Sequence, residues 1–379
     1  MKNFYIAIVL FLIFPVFVFA QGQNSQDVNS VESGTVQESV FKARVVEVIE
    51  EKQTTREDGT KLVQQKLKLV GLGKEREGEE IIYDGFLWDI ESVSKFEVGD
   101  KVLVSENLTA DGEVFYFIND YVRSSSLWIL ALVFAAVVVV VGKWKGFRAL
   151  IVLALTFVII LKFLIPQIMA GQNALLITII SSLAILVMAI YLTEGIKKTS
   201  TISVVSIIIS LTITGIFSIW FTAFTKLSGF YSEEASFLTA VSGINIDIRG
   251  LLLAGIIIGT LGVLDDVVIS QVSLVKELKE ANPNLSKKEV YKKAMKVGIS
   301  HLSSMVNTLF LAYAGAALPL LILFNIKQPP FLNFTQVINN EIIATEIVRS
   351  LTGSIGLVLA IPIATFLAIN FISSKKIKV

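Results

Sequence analysis

The chain has 379 residues and a formal net charge of +1, with 54% hydrophobic and only 17% charged residues. Ordinary globular chains contain about 25% charged residues, and apolar stretches long enough to cross a bilayer recur after position 123. The composition therefore indicates a multi-pass membrane protein and excludes a soluble enzyme, a disordered chain and a coiled coil. The absence of cysteine and the single histidine exclude disulfides, thiolate centres and a multi-histidine metal site.

Residues 1–20 have the layout of a cleavable secretory signal. Lys2 precedes an apolar run that ends with Val18 and Ala20. The alternative is an uncleaved N-terminal membrane helix, and in both cases the chain that follows faces the outside. Residues 21–39 are polar and poor in apolar side chains, as is typical of a linker.

Residues 40–123 consist of short β-branched runs, several of them separated by turn signals such as Asp58-Gly59 and Gly99-Asp100. The runs that we predict to be strands are Phe41–Ile49, Leu62–Val70, Glu80–Tyr83, Lys101–Ser105 and Glu113–Ile118. Five or six short strands predict a small extracytoplasmic all-β domain, an antiparallel barrel of OB-like type. Its location outside the membrane is the only basis for a binding role.

Residues 124–379 are predicted to form a multi-pass bundle of transmembrane α-helices. We count seven apolar spans, near 124–142, 149–166, 174–192, 201–225, 250–272, 299–324 and 350–373. With the β domain outside, Lys or Arg occurs in all four predicted inner segments, while the predicted outer loops carry few or none. This bias places the C-terminus and the loop 273–298 on the cytoplasmic side.

The inner loop 273–298 has the pattern of a helical hairpin. Asn282-Pro283 ends the first helix, and Ser286 with Glu289 forms a capping-box pattern for the second. Its lysines are typical of a surface that faces solvent and lipid headgroups, with a partner-binding surface as the sharper alternative.

Span five carries two adjacent carboxylates at a depth where ionisable groups are costly. Asp265 and Asp266 lie about 22 Å along the helix from its start, which is the inner half of the bilayer. If the span instead ended at Leu264, it would have only about 15 residues, which is short for a bilayer. Ser270 and Gln271 follow the pair and join it as candidates for ion binding or transport.

The same span carries a glycine stripe. Gly255, Gly259 and Gly262 share one helix face with Asp266. Such a stripe lets another helix approach closely, so we predict helix packing there. We expect Asp266, rather than Asp265, to face that contact and to carry the membrane activity.

Span six is predicted to run back beside span five, with polar side chains at a similar depth. Its candidates are His301, Ser304 and Asn307. Asn307 is the strongest of them because a buried amide needs hydrogen-bond partners, whereas a lone histidine is more often an interfacial residue than a metal ligand. We expect Ser304 and Asn307 to neighbour Asp266.

Glu346 and Arg349 lie one helical turn apart on the same face, just before span seven. A surface ion pair of little energetic weight is one interpretation. A buried pair at the membrane edge, with a role in transport, is the other.

The order of four segments resembles the YibE/F family. These segments are GLLLAGIIIGTLGVLDDVVISQ, ANPNLS, HLSSMVNTLFLAYAGAALPLL and EIIATEIVRSLTGSIGLVLAIPIA. The resemblance covers residues from about 125 to 370 and implies a bacterial multi-pass membrane protein with an exported β domain, without an established activity. Many members have an Arg-Asp pair just before the histidine, where this chain has Ile299 and Ser300. A mechanism that requires an ion pair at that place is therefore in doubt here.

These features predict a transporter or permease for a small solute or ion in the bacterial cell membrane. A carboxylate inside the bilayer can carry a proton or bind a cation. We expect no enzymatic activity, cofactor, metal or nucleic-acid partner; the lipid bilayer is the expected surrounding, and self-association into a homo-oligomer stays open. The alternative is a membrane-anchored sensor or scaffold whose exported β domain binds a ligand or an envelope partner. An intramembrane aspartyl protease, a third class, would need aspartates on two separate spans.

Overall fold

The computed structural model describes residues 39–56, 59–74, 76–87, 90–108, 114–240 and 246–372. The predicted signal peptide 1–20 and all but the last residue of the predicted linker 21–39 lie outside the described residues. The chain divides into two compact units, one that ends at Val137 and one that continues from Val138. The first unit contains a β-sheet, and the second contains a bundle of helices.

The first unit contains one antiparallel sheet of five strands. They are β1 (Ser39–Thr55), β2 (Lys61–Leu72), β3 (Glu80–Asp84), β4 (Lys101–Leu108) and β5 (Val114–Tyr121). The strand order is β3-β2-β1-β4-β5. The edge strands β3 and β5 also contact each other, so the sheet curls into a small, partly open barrel. This confirms the predicted all-β domain.

The long strand β1 is shared by the two halves of the barrel. Its first residues, Ser39–Arg44, pair with β4, and the residues from Lys42 onward pair with β2. Register shifts after Val45 and Val48 mark the irregularities that let β1 bend. Alternate side chains point inward and form the core: Ala43, Val45, Leu67, Leu69, Ile81, Tyr83, Phe96, Val102, Val104 and Ile118.

The helices follow in chain order. They are α1 (Ser124–Ile159), a π-helical turn (Ile160–Leu164), α2 (Ile165–Met169), α3 (Ala174–Glu194), α4 (Lys198–Phe224), α5 (Glu233–Ala240), α6 (Ile248–Ala281), α7 (Lys287–Ala316), α8 (Leu318–Ile326), α9 (Phe334–Asn339) and α10 (Glu341–Phe371). The starts of α3, α6 and α10 are fixed by Asn173, Asp247 and Asn340, whose side-chain oxygens accept hydrogen bonds from the first-turn N–H groups.

Among the described residues, five helical segments are long and apolar enough to cross a membrane: Ser124–Met169, Ala174–Glu194, Lys198–Phe224, Ile248–Ala281 and Glu341–Phe371. Helices α7 and α8 meet the same criteria only as a pair, bent by 66° at the break between them, and make a sixth if the pair is one span. We predicted seven spans because we counted two within the first of these segments, which has 46 residues. Lys143 interrupts it with φ 49° and ψ −130°, and each side keeps more than the about 17 residues that a span needs.

The hairpin between α6 and α7 has the predicted form. Helix α6 ends at Ala281 and α7 begins after Ser286, where both hydrogen bonds of the capping box with Glu289 are present. The buried Lys279 ammonium donates to the main-chain oxygens of Ile369 (2.6 Å) and Ile372 (2.5 Å). The last carbonyl groups of α10 are thereby satisfied by a side chain from α6.

The centre of the helical unit is formed by α4, α6 and α10. A row of buried hydroxyl side chains runs along α4 with a spacing of four residues: Ser206, Ser210, Thr214, Ser218 and Thr222. The first four each donate to the carbonyl oxygen four residues earlier, which satisfies them within the helix. A Cβ on Gly356 of α10 would collide with Thr214 Oγ1, so small residues allow these two helices to approach closely.

Candidate functional site

A cleft of about 640 Å³ opens between α1, α3, α6 and α7. Its polar lining consists of Lys145, Thr193, Glu194, Asp265, Asp266, Ser270 and His301. Four of the predicted candidates, Asp265, Asp266, Ser270 and His301, thus lie together in this cleft. Glu194 adds a third carboxylate. A concave site with a few convergent polar groups is the usual form of a small-ligand site.

The two aspartates of α6 occupy different environments. Asp265 lies on the packed side of the helix, one turn from the buried Leu261 and Val268. Its Oδ1 is buried and has no hydrogen-bond partner among the described residues, whereas Asp266 is exposed in the cleft. A buried carboxylate oxygen without a donor is costly unless a proton or a cation binds it. The geometry favours Asp265, rather than the predicted Asp266, as the carboxylate to which a proton or a cation binds.

Helix α1 forms one wall of the cleft just after a sharp fold-back of the chain. The backbone of Lys143 has a positive φ of 49°, and a Cβ on Gly146 would collide with the carbonyl oxygen of Val138. Glycine is therefore required at position 146. Lys145 lies between Lys143 and Gly146 in the chain, and its exposed ammonium is 3.2 Å from the carboxylate of Glu194.

Glu194 is the acidic cleft residue that was not among the predicted candidates. It is the last residue of α3, and Gly195 follows it with a positive φ of 83°. The lysines of the segment 193–200 carry the charge bias from which the topology is predicted. The available signal was the acidic side chain itself, because Glu194 is the only acid in that segment and it ends an apolar span.

The polar side chains of α7 are only partly gathered at the cleft. His301 lines it, and Met305, one turn later, lines it as well. Ser304 and Asn307 are exposed and do not line the cleft. The prediction that they neighbour Asp266 is not supported, because the face of α7 that meets the cleft is the one with His301 and Met305.

The glycine stripe of α6 is uncovered. Gly255, Gly259 and Gly262 are exposed, and no described atom within 4 Å would meet a Cβ on any of them. Among the described residues, no helix packs on this stripe, and the predicted packing there stays a prediction. The close approach occurs instead between α4 and α10, where Thr214 faces Gly356. Asp266 and Ser270 continue the open stripe into the cleft.

Gln271 has a structural role in the helix core. Its buried side-chain amide donates to the carbonyl oxygen of Ala294 on α7 (3.1 Å) and to Thr365 Oγ1 on α10 (2.7 Å). A Cβ on Gly298 would lie 2.8 Å from Gln271 Oε1 and 2.7 Å from Ile361 Cγ2. Gln271 therefore fixes the crossing of three helices and does not line the cleft.

Glu346 and Arg349 form a separate polar site near the start of α10. Their side chains pair at 2.7 Å, and the Arg349 guanidinium also donates to the hydroxyl of Tyr231 at 2.9 Å. The Arg349 and Glu346 side chains are 22% and 31% exposed, which lies between the surface pair and the buried pair of the two interpretations. Arg349 lies about 24 Å along the helix from Thr365, which contacts Gln271, so this pair is remote from the cleft.

The cleft is lined by three carboxylates, those of Asp265, Asp266 and Glu194. Among the described residues, no three His, Cys, Asp or Glu side chains are grouped so as to hold a metal ion. His301 and Ser270 are polar neighbours of these carboxylates in the lining of the cleft.

Known sequences match the helical part of this chain. The family described as YibE/F-like protein matches residues 130–374, which are 245 of the 379 residues. No curated protein and no solved structure matches the chain. The matched range includes every residue that lines the cleft, and it leaves out the five strands of the barrel.

Proposed function

Since the chain belongs to the YibE/F-like family and has helices suited to spanning a membrane, we propose that it transports a proton or a small cation through the cleft. The observation that carries this proposal is the buried, unpartnered Oδ1 of Asp265. Ionisable groups inside a membrane are costly and usually functional. A carboxylate that lacks a donor is stabilised when a proton or a cation binds it.

The other cleft residues have roles that follow from their exposure. Asp266 and Glu194 give the entrance a negative charge, which attracts cations. The exposed Lys145 pairs with Glu194 and partly offsets that charge. A cation that reaches the entrance can replace the ammonium beside Glu194 and then move to Asp265, deeper in the wall.

The orientation proposed for the protein places the cleft at the cytoplasmic end. Lys145 and the turn after Glu194 belong to two segments whose basic residues predict an inner location. The barrel of the first unit would then lie outside a bacterial cell. The release of ions on the outer side would require a path along α6, where the open glycine stripe provides a face free of bulky side chains.

Asp265→Asn should reduce ion flux to the level of protein-free liposomes, because an amide keeps the size of the carboxylate but neither takes up a proton at physiological pH nor carries the negative charge that holds a cation. Asp266→Asn should reduce the rate less, since it removes charge only at the exposed entrance. Flux is measured in proteoliposomes with a pH-sensitive dye and with dyes for Na⁺ and K⁺ inside the vesicles. Glu277→Gln, an exposed acid on the same helix, is the matched control and should behave as the wild type.

The two function classes give different outcomes in this assay. A sensor or scaffold whose exported barrel binds a ligand does not need the cleft carboxylates for flux. If neither aspartate variant differs from the wild type, or if the wild type moves no ion down a gradient, the transport proposal is contradicted and the sensor or scaffold alternative is favoured.

A further inference from the structure

A second groove, of about 590 Å³, lies between α4 and α10. It shares no lining residue with the cleft. Its walls are apolar, with Ile202 and Val205 on α4 facing Leu367 and Phe371 on α10. An open apolar groove at the surface of a membrane helix bundle is suited to a hydrocarbon chain.

Positive charge is concentrated at one end of this groove. Lys197 and Lys198 line it, and both are exposed. Lys197 is also the N-cap residue of α4, without a side-chain cap. The N–H groups of the first helical turn have no carbonyl partner within the helix, and the helix dipole is positive there. A phosphate group matches this set of donors and charges.

The groove is thus basic at the end with Lys197 and Lys198 and apolar further along α4. A bilayer has the same order, from its charged headgroups to its hydrocarbon interior. Ile196, beside the lysines, is 90% exposed, and Phe371 at the same end is 64% exposed. Val205 lies about 12 Å further along α4 than Lys197. A ligand that fills the groove must therefore be charged at one end and apolar over the next 12 Å or so.

We propose that this groove binds an anionic phospholipid. The lipid phosphate contacts the lysines and the first turn of α4, and one acyl chain lies between Val205 and Leu367. Basic pockets between transmembrane helices on the cytoplasmic side select anionic headgroups in the same way. This site stands independently of the cleft, since the two have separate linings.

The lack of native cysteine allows a local test in the full-length protein. Ile209→Cys, one turn beyond Val205 and 38% exposed, is labelled with bimane in phosphatidylcholine vesicles. One set of vesicles contains a minor amount of brominated phosphatidylglycerol, and the other set contains the same amount of brominated phosphatidylcholine. The brominated chains quench the label on contact. Brominated phosphatidylglycerol should quench more strongly at equal content, with an apparent affinity at least about fivefold higher.

Two variants separate the groove from general surface charge. Lys197→Gln with Lys198→Gln should abolish the preference for phosphatidylglycerol. The matched control, Lys292→Gln with Lys293→Gln on the exposed face of α7, should keep it. Val205→Trp fills the groove without changing charge and should lower the preference as well. The proposal is overturned if the Ile209→Cys protein shows no preference for phosphatidylglycerol, or if the preference survives the change of Lys197 and Lys198. It is also overturned if the control variant at Lys292 and Lys293 loses the preference.

Discussion

Single residues decide how closely the helices around the cleft cross. Gln271 links three helices through two buried hydrogen bonds, and Gly298 gives it the necessary space. The sequence identified Asp265 and Asp266 because a charged pair in an apolar span is conspicuous. It did not reveal the role of Gln271, since the face of a helix that becomes buried depends on which neighbours pack against it.

Gly298→Ala should destabilise the protein by about 1–3 kcal/mol, because the new Cβ would overpack the contact with Ile361 and Gln271. Gly259→Ala is the control, since nothing within 4 Å would meet its Cβ. That change should be neutral or stabilising by up to about 1 kcal/mol, as for alanine in place of glycine in a helix. Thermal unfolding in detergent measures both; equal midpoints for the two variants would contradict the crossing described here.

At the scale of elements, local patterns predicted what local interactions determine. The strands of the barrel and the break and capping box of the α6–α7 hairpin were found where the sequence places them. The packing face of a membrane helix is less readable, because lipid is as apolar as leucine and burial does not require a hydrophobic stripe. Among the described residues, the hydroxyl row of α4 lies at a close helix contact, and the glycines of α6 do not.

Residues 40–123 should fold alone as a soluble β domain, because the barrel has its own apolar core. Circular dichroism of the isolated fragment should show strand and little helix. A spectrum of a disordered or mainly helical chain would mean that the barrel depends on the rest of the protein.

Within that domain, the ion pair of Lys66 and Asp84 (2.6 Å) should make stability depend on pH. The hydrogen bond from Lys66 and those from two main-chain N–H groups hold the pKa of the Asp84 carboxyl below its usual value. Because the pKa of Asp84 is lower in the folded than in the unfolded chain, its carboxylate stabilises the fold at every pH above the unfolded-state pKa, about 4. This stabilisation is lost as the pH falls through the folded-state pKa.

Asp84→Asn should therefore cost at most about 1 kcal/mol at neutral pH, as is typical of a partly exposed pair. The difference from the wild type should vanish in acid. Urea unfolding of the fragment at pH 7 and at pH 2 provides the comparison, with Glu77→Gln as an exposed control. A cost that is equal at both pH values would show that the pair does not act through its charge.

At the scale of the whole molecule, the sequence predicted the division into a barrel and a helical bundle from the change in composition near residue 123. The number of spans was harder to define from hydropathy, since Ser124–Met169 is one apolar segment interrupted only at Lys143. Neither composition nor periodicity could show which four helices enclose the cleft. That grouping depends on contacts between segments far apart in the chain.

The proposed orientation predicts that the α6–α7 hairpin faces the cytoplasm. A cysteine introduced by Ser286→Cys should resist an impermeant thiol reagent in intact cells and react after the membrane is permeabilised. Ser94→Cys on the exposed surface of the barrel is the control and should react in intact cells. Labelling of Ser286→Cys in intact cells would reverse the proposed topology.

The hydrogen bonds of Gln271 give the cleft walls unequal stiffness. The wall made by α6 and α7 is tied to α10. The wall made by α1 beyond Lys143 buries only Gly146, Leu150 and Ala154 of its described residues. We therefore expect a bulky ligand to displace the less buried α1 wall before the wall that carries the aspartates. The width of the cleft and the position of its two aspartates are thus set by different helices.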